Sequence, residues 1–154
     1  MVLRYGPVRK KGSTVSSPEP VAVAAAQPAV FTVNQLGTGQ AVVTVIRTAS
    51  LADAGHPAKA GDVIVIYCGG LGEVRPPVAS GAAAPASPQS QTALPAVTIG
   101  GKPAEVLSSG LIPHFAGLYQ VNAIVPGGVN PGDDVPLVLT IAGQTSPTVT
   151  MAVR

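Results

Sequence analysis

Apolar and polar residues alternate with a period of two in short runs along most of this chain. Each run is bounded by Gly, Pro, Asn or Ser, so the pattern predicts strands joined by tight turns. The clearest runs are residues 40–46, 62–68, 118–125, 136–142 and 148–153, with shorter ones at 20–24, 29–33, 96–99 and 104–107. In 136–142, Leu137, Leu139 and Ile141 share one face while Val138 and Thr140 take the other. The intervening Pro126-Gly127-Gly128, Asn130-Pro131-Gly132-Asp133 and Ala142-Gly143-Gln144 are strong turn sequences.

Helical periodicity is nearly absent; only residues 49–54 suit a short helical turn. About nine short strands at this spacing predict an all-β fold, an antiparallel β-sandwich of roughly 7–9 strands. One segment breaks the rhythm. Residues 75–95 carry Pro76, Pro77, Pro85, Pro88 and Pro95 among Ala and Ser. That spacing favours an extended crossing loop, and its Ala content predicts that it lies packed on the sandwich.

Composition narrows the class. Of 154 residues, 46% are hydrophobic, 3% aromatic and 10% charged, the last against roughly 25% in ordinary domains. Neither a disordered tail nor a charged helical bundle has this profile. No apolar run approaches the roughly 20 residues of a membrane-spanning helix. The formal charge of +2 is unevenly placed: Arg4, Arg9, Lys10 and Lys11 hold four of the nine basic residues. From Gly12 onward five basic face seven acidic residues, 5 − 7 = −2, so a basic arm precedes a weakly acidic body. Nucleic-acid binding needs a basic face on the fold itself, and none is expected here. The expected organisation is a basic arm over 1–15, an extra strand or linker over 16–28, and the β domain over 29–154.

Several stretches together resemble the Ig-like β-sandwich C-terminal domains of large secreted proteins of Solibacter and other Acidobacteria. They are Gly61-Asp62-Val63-Ile64-Val65-Ile66-Tyr67 with Gly70-Leu71-Gly72, and Val97-Thr98-Ile99-Gly100-Gly101-Lys102-Pro103-Ala104. Gly117-Leu118-Tyr119-Gln120-Val121-Asn122 with Val125-Pro126 is the most specific element, and the pattern is similar to IPT/TIG modules as well. Cys68-Gly69 and His114 depart from the usual pattern and add no catalytic partner. The resemblance implies an Ig-like fold and an extracellular or cell-surface setting; it implies no activity. It also implies that residues 16–28 are a domain junction, with 20–24 a leftover last strand of a preceding domain. Met1 leads into Arg4-Tyr5-Gly6-Pro7 without the apolar region of a secretory signal, so the chain is expected to be either cytosolic or cut from a longer secreted protein.

Chemistry is sparse. Cys68 is the single cysteine and sits in an apolar run, as a small buried hydrophobe does. Gly69-Gly70-Leu71-Gly72 follows a strand, but Arg75-Pro76-Pro77 rather than a helix comes next, so a phosphate-binding loop is not expected. His56 and His114 are the only histidines for a triad with Ser108 or Ser109, and both lie in expected loops. Asn130, Asp133 and Asp134 are weak calcium candidates on a turn that needs no metal to form. No catalytic residue, no metal centre and no cofactor is expected.

The sequence therefore points to a non-enzymatic structural, adhesive or assembly module. A strand needs an edge to pair with, so Pro20, Val21 and Val23 are the expected self-association residues, by strand addition through 18–25. Head-to-tail addition gives rings or filaments. The alternative is a module binding cell-surface polysaccharide, with Phe115 and Tyr119 as contacts; the third reading is a hydrolase with a dispersed site.

Overall fold

The computed structural model describes residues 2–4 and 20–154. Most of the expected basic arm, residues 1–15, lies outside the described residues. The fold is all-β: β1 (Val2–Arg4), β2 (Pro20–Ala22), β3 (Ala29–Val30), β4 (Val43–Val45), β5 (Ser50–Leu51), β6 (Val63–Gly69), β7 (Ala96–Ile99), β8 (Lys102–Leu111), β9 (Tyr119–Ile124), β10 (Gly132–Ile141), β11 (Gln144–Thr145) and β12 (Val149–Val153). No described residue is helical. Residues 49–54 do not form the expected helical turn. Ala49 closes a tight turn by donating its amide to the Val45 carbonyl at 2.8 Å, and β5 starts at the next residue.

Ten strands form one curled antiparallel sheet in the order β11-β10-β7-β8-β9-β6-β4-β5, with β12 on β10 and β3 on β6. β8 is the corner. Its first residues pair with β7, its later ones with β9, and the register shifts between Val106 and Ser108. Such a bulge bends a strand and lets it serve both halves of a sheet. At the other side, β12 closes the curl. The Ala41 amide donates to the Thr150 carbonyl, and the Thr150 amide to the Gly39 carbonyl, each at 2.8 Å. The Ala152 amide donates to the Ala52 carbonyl, completing a second rung.

Curling lets both halves share one core. Ile64, Ile66 and Cys68 of β6 are fully buried with Leu137 and Leu139 of β10 and Met151 of β12. Each large aliphatic side chain removed from water stabilises the fold by about 1.5–3 kcal/mol. No aromatic ring is needed to fill the space, which agrees with the sparse aromatic content.

The crossing loop touches the sheet at a few points rather than along its length: Ala84, Ser90 and Pro95 are buried, while Ala79, Ala82, Ala83, Ala86 and Ala93 are exposed, so its Ala content is not what seats it. Ala84 is buried against Val74 and Leu111, with Val78 and Tyr119 beside them. Arg75 and Gln91 exchange both backbone hydrogen bonds, and the Leu111 amide donates to the Ser90 carbonyl.

The amino-terminal segment is the remaining element. β2 pairs antiparallel with β1, Leu3 opposite Val21, in a two-stranded sheet separate from the larger one. Downstream, β3 and β4 both pair along one edge of β6, β3 at Gly69 and Cys68, β4 at Ile66 to Ile64. Between them the chain leaves the edge as a hairpin over residues 32–41, with Thr32 bridged to Ala41.

Among the described residues no helix is long and apolar enough to cross a membrane.

Candidate functional site

The nucleophile and base candidates are not brought together. Ser108 Oγ accepts a hydrogen bond from Asn122 Nδ2 at 2.9 Å, and Ser109 Oγ lies 2.6 Å from Thr92 Oγ1. Neither serine has a histidine as hydrogen-bond partner among the described residues. His56 stands with its Nδ1 3.3 Å from Asp53 Oδ1 at an exposed turn. The same carboxylate accepts the His56 and Gly55 amides. The His56 backbone N–H above all holds the Asp53 carboxyl below its ordinary pKa. This is turn chemistry. His114 occupies a loop at φ 70°, donating its amide to the Ala84 carbonyl.

Cys68 is buried, and burial pushes its thiol up to about 12. At that value the thiolate that reacts or binds metal is scarce at neutral pH. Asp133, one of the calcium candidates, forms an ion pair with Arg154. Asn130 and Asp134 line the same shallow surface. Among the described residues no three His, Cys, Asp or Glu side chains converge.

Phe115 and Tyr119 have different surroundings. Phe115 is exposed. Tyr119 is half-buried, and its hydroxyl donates to the Gly72 carbonyl at 2.9 Å. Burial, and secondarily Cys68, raise the Tyr119 pKa. Of the expected assembly residues, Pro20 and Val21 lie in β2 and Val23 is exposed just beyond it.

The most distinctive geometry lies where the amino-terminal segment meets the glycine loop. The Gln27 amide donates to the Gly70 carbonyl at 2.8 Å. A Cβ on Gly70 would lie 1.9 Å from the Gln27 carbonyl oxygen, and one on Gly72 would lie 2.7 Å from that of Ala25. These glycines, at φ 72° and 91°, admit a second backbone at a distance no side chain permits. Along that segment Ala26, Pro28, Val30 and Thr32 are buried and alternate with exposed Ala25, Gln27, Ala29, Phe31 and Val33. Beside it opens a cleft of about 550 Å³, lined by Ala25, Leu71, Glu73, Arg75, Gln91 and Thr92.

The hairpin over 32–41 presents a second feature. Its tip is held by Thr32, whose Oγ1 accepts the Gly37 amide at 3.0 Å, and by Asn34, whose Oδ1 accepts the Leu36 amide at 3.0 Å. Leu36 is 77% exposed on this hydrogen-bonded tip, with Val33 and Phe31 exposed below it. The signal for this region was available in the sequence: no residue from Pro20 through Ile46 is charged.

Comparison of the chain with protein-family models, curated proteins and solved structures finds no match.

Proposed function

We propose that this chain is a non-enzymatic extracellular or cell-surface module that self-associates, serving structure, adhesion or assembly. One observation carries the reading. Val23, Phe31, Val33, Leu36 and Ile46 are five of the eight large hydrophobic side chains exposed among the described residues, and all fall within the uncharged stretch 20–46. Apolar residues concentrated in one exposed segment favour contact with another surface. Absence of charge removes the like-charge repulsion that keeps identical surfaces apart. The Ig-like, extracellular character rests on the sequence resemblance described above.

The test is sedimentation velocity of the intact chain beside a Val33→Lys/Leu36→Lys variant. Both positions are exposed, so the variant keeps its fold. The reading expects oligomers of the native chain and their loss in the variant; equal sedimentation of the two over the whole concentration range contradicts it.

A further inference from the structure

We infer that the edge formed by Cys68–Gly72 is a strand-acceptor site, and that in the assembled state it takes residues 25–33 of a second copy of this chain. The inference deepens the proposed self-association and rests on it.

The acceptor is built for a backbone. Gly70 and Gly72 leave room where any Cβ would collide with Gln27 or Ala25, so the groove fits main chain lying flat against main chain. Its recognition is then that of strand addition, in which ladder hydrogen bonds hold an extended segment and alternate side chains fill pockets. The segment now seated there has this form. Ala29 pairs with Gly69 and Val30 with Cys68, and the Phe31 amide donates to the Tyr67 carbonyl at 3.0 Å. Ala26, Pro28, Val30 and Thr32 point inward at every second position.

The occupant is separable from the body. Of its inward side chains, Ala26 and Val30 belong to the core, and Val30 is the one large hydrophobic among them. Upstream, β2 pairs with β1 and not with the ten-stranded sheet. Downstream, the hairpin over 32–41 joins it to β4. Gln35, Gly37 and Gly39 there have φ of 61°, 76° and 83°, and Leu36 at the tip is in solvent. Residues 31–33 pair with 40–42 across this hairpin, the Val33 amide donating to the Gln40 carbonyl and the Val42 amide to the Phe31 carbonyl. Opened at its tip, the segment can leave its own groove and enter an identical one, because every contact it makes in its own chain, these included, is available in the other. Assembly by this route needs no new pocket. It places the exposed Phe31 and Val33 beside the partner's own surface.

Ala29 and Gly69 give the test. They are direct cross-strand partners, Ala29 is exposed, and a Cβ on Gly69 meets nothing within 4 Å. Opposed residues of antiparallel strands lie about 4.5–5.5 Å apart at Cα, inside the roughly 4.4–6.8 Å that a disulfide spans. The full-length Ala29→Cys/Gly69→Cys chain is oxidised while dilute, which locks the segment in its own groove, and its mass is compared by light scattering with that of the reduced protein. Assembly is expected when reduced and lost when oxidised. In a mixture of the two single variants at high concentration, an interchain link between positions 29 and 69 is expected by peptide mass mapping. Equal assembly of the oxidised and reduced chains, with no 29–69 link in the mixture, overturns the exchange and leaves self-association standing. A native chain that stays monomeric at every concentration overturns both.

Discussion

Gln27 and Gly70 are joined by a backbone hydrogen bond of 2.8 Å, and a Cβ on Gly70 would stand 1.9 Å from the Gln27 carbonyl oxygen. The contact gives the glycine loop after β6 a structural reason: its glycines accept a strand of protein.

Neighbouring glycines should therefore respond in opposite ways. Gly70→Ala combines a positive φ with a backbone collision and should cost about 3 kcal/mol or more. Gly69→Ala meets open space and should change stability by less than about 1 kcal/mol. Urea unfolding of the two variants checks this; equal midpoints contradict the cradle.

The hydroxyl of Tyr119 holds the same loop from the other side through the Gly72 carbonyl. Tyr119→Phe should lower stability by about 1 kcal/mol, the net worth of one such hydrogen bond. Thermal unfolding at fixed pH measures it, and no loss in the variant would show that the bond contributes nothing.

Asp62 makes stability depend on acid. Its carboxylate accepts the Lys59 amide at 2.9 Å and pairs with Arg47. Burial opposes ionisation, but these partners outweigh it and hold the pKa below the ordinary 3.8. A lowered carboxyl pKa contributes stability that is present above the unfolded value and lost as pH falls through the folded one. The Arg47 side chain is 63% exposed, so solvent screening leaves the amide contact as the main part, about 1 kcal/mol. Asp62→Asn should be less stable than the native chain at pH 7, with the difference closing below about pH 4. Urea midpoints across pH 3–7 decide; a gap that persists in acid contradicts the linkage.

The buried Cys68 thiol should resist a soluble disulfide reagent in the folded chain and react once when the chain is unfolded in denaturant. Stoichiometric labelling within seconds under native conditions would contradict its burial.

Much of the fold was legible where alternation is strong. The run 96–99 is β7 residue for residue, and 148–153 and 62–68 match β12 and β6 to within a residue at each end. Two of the misses share a cause, which is tertiary pairing overriding local chemistry. Asn130-Pro131-Gly132-Asp133 has the composition of a turn, yet β10 starts at Gly132 because Gly132 pairs with Val153. Ser108-Ser109-Gly110 resembles a loop, yet β9 pairs with all three and extends β8 through them. β1, β5 and β11 have two or three residues each, too few to show a period. At the candidate site a strand over 29–33 was legible, of which Ala29–Val30 form β3 and the rest turns into the hairpin. The inward roles of Ala26 and Pro28 were not, because neither carries a strong apolar signal. The glycine loop was visible as a motif, but its partner backbone lies far upstream and no local pattern links them.

Self-association is the central claim, and the mass of the intact chain in solution tests it most directly. Multi-angle light scattering over a wide concentration range should show mass rising above the 15.2 kDa of one chain, as oligomers or filaments build. A constant mass of one chain at every concentration would contradict the account.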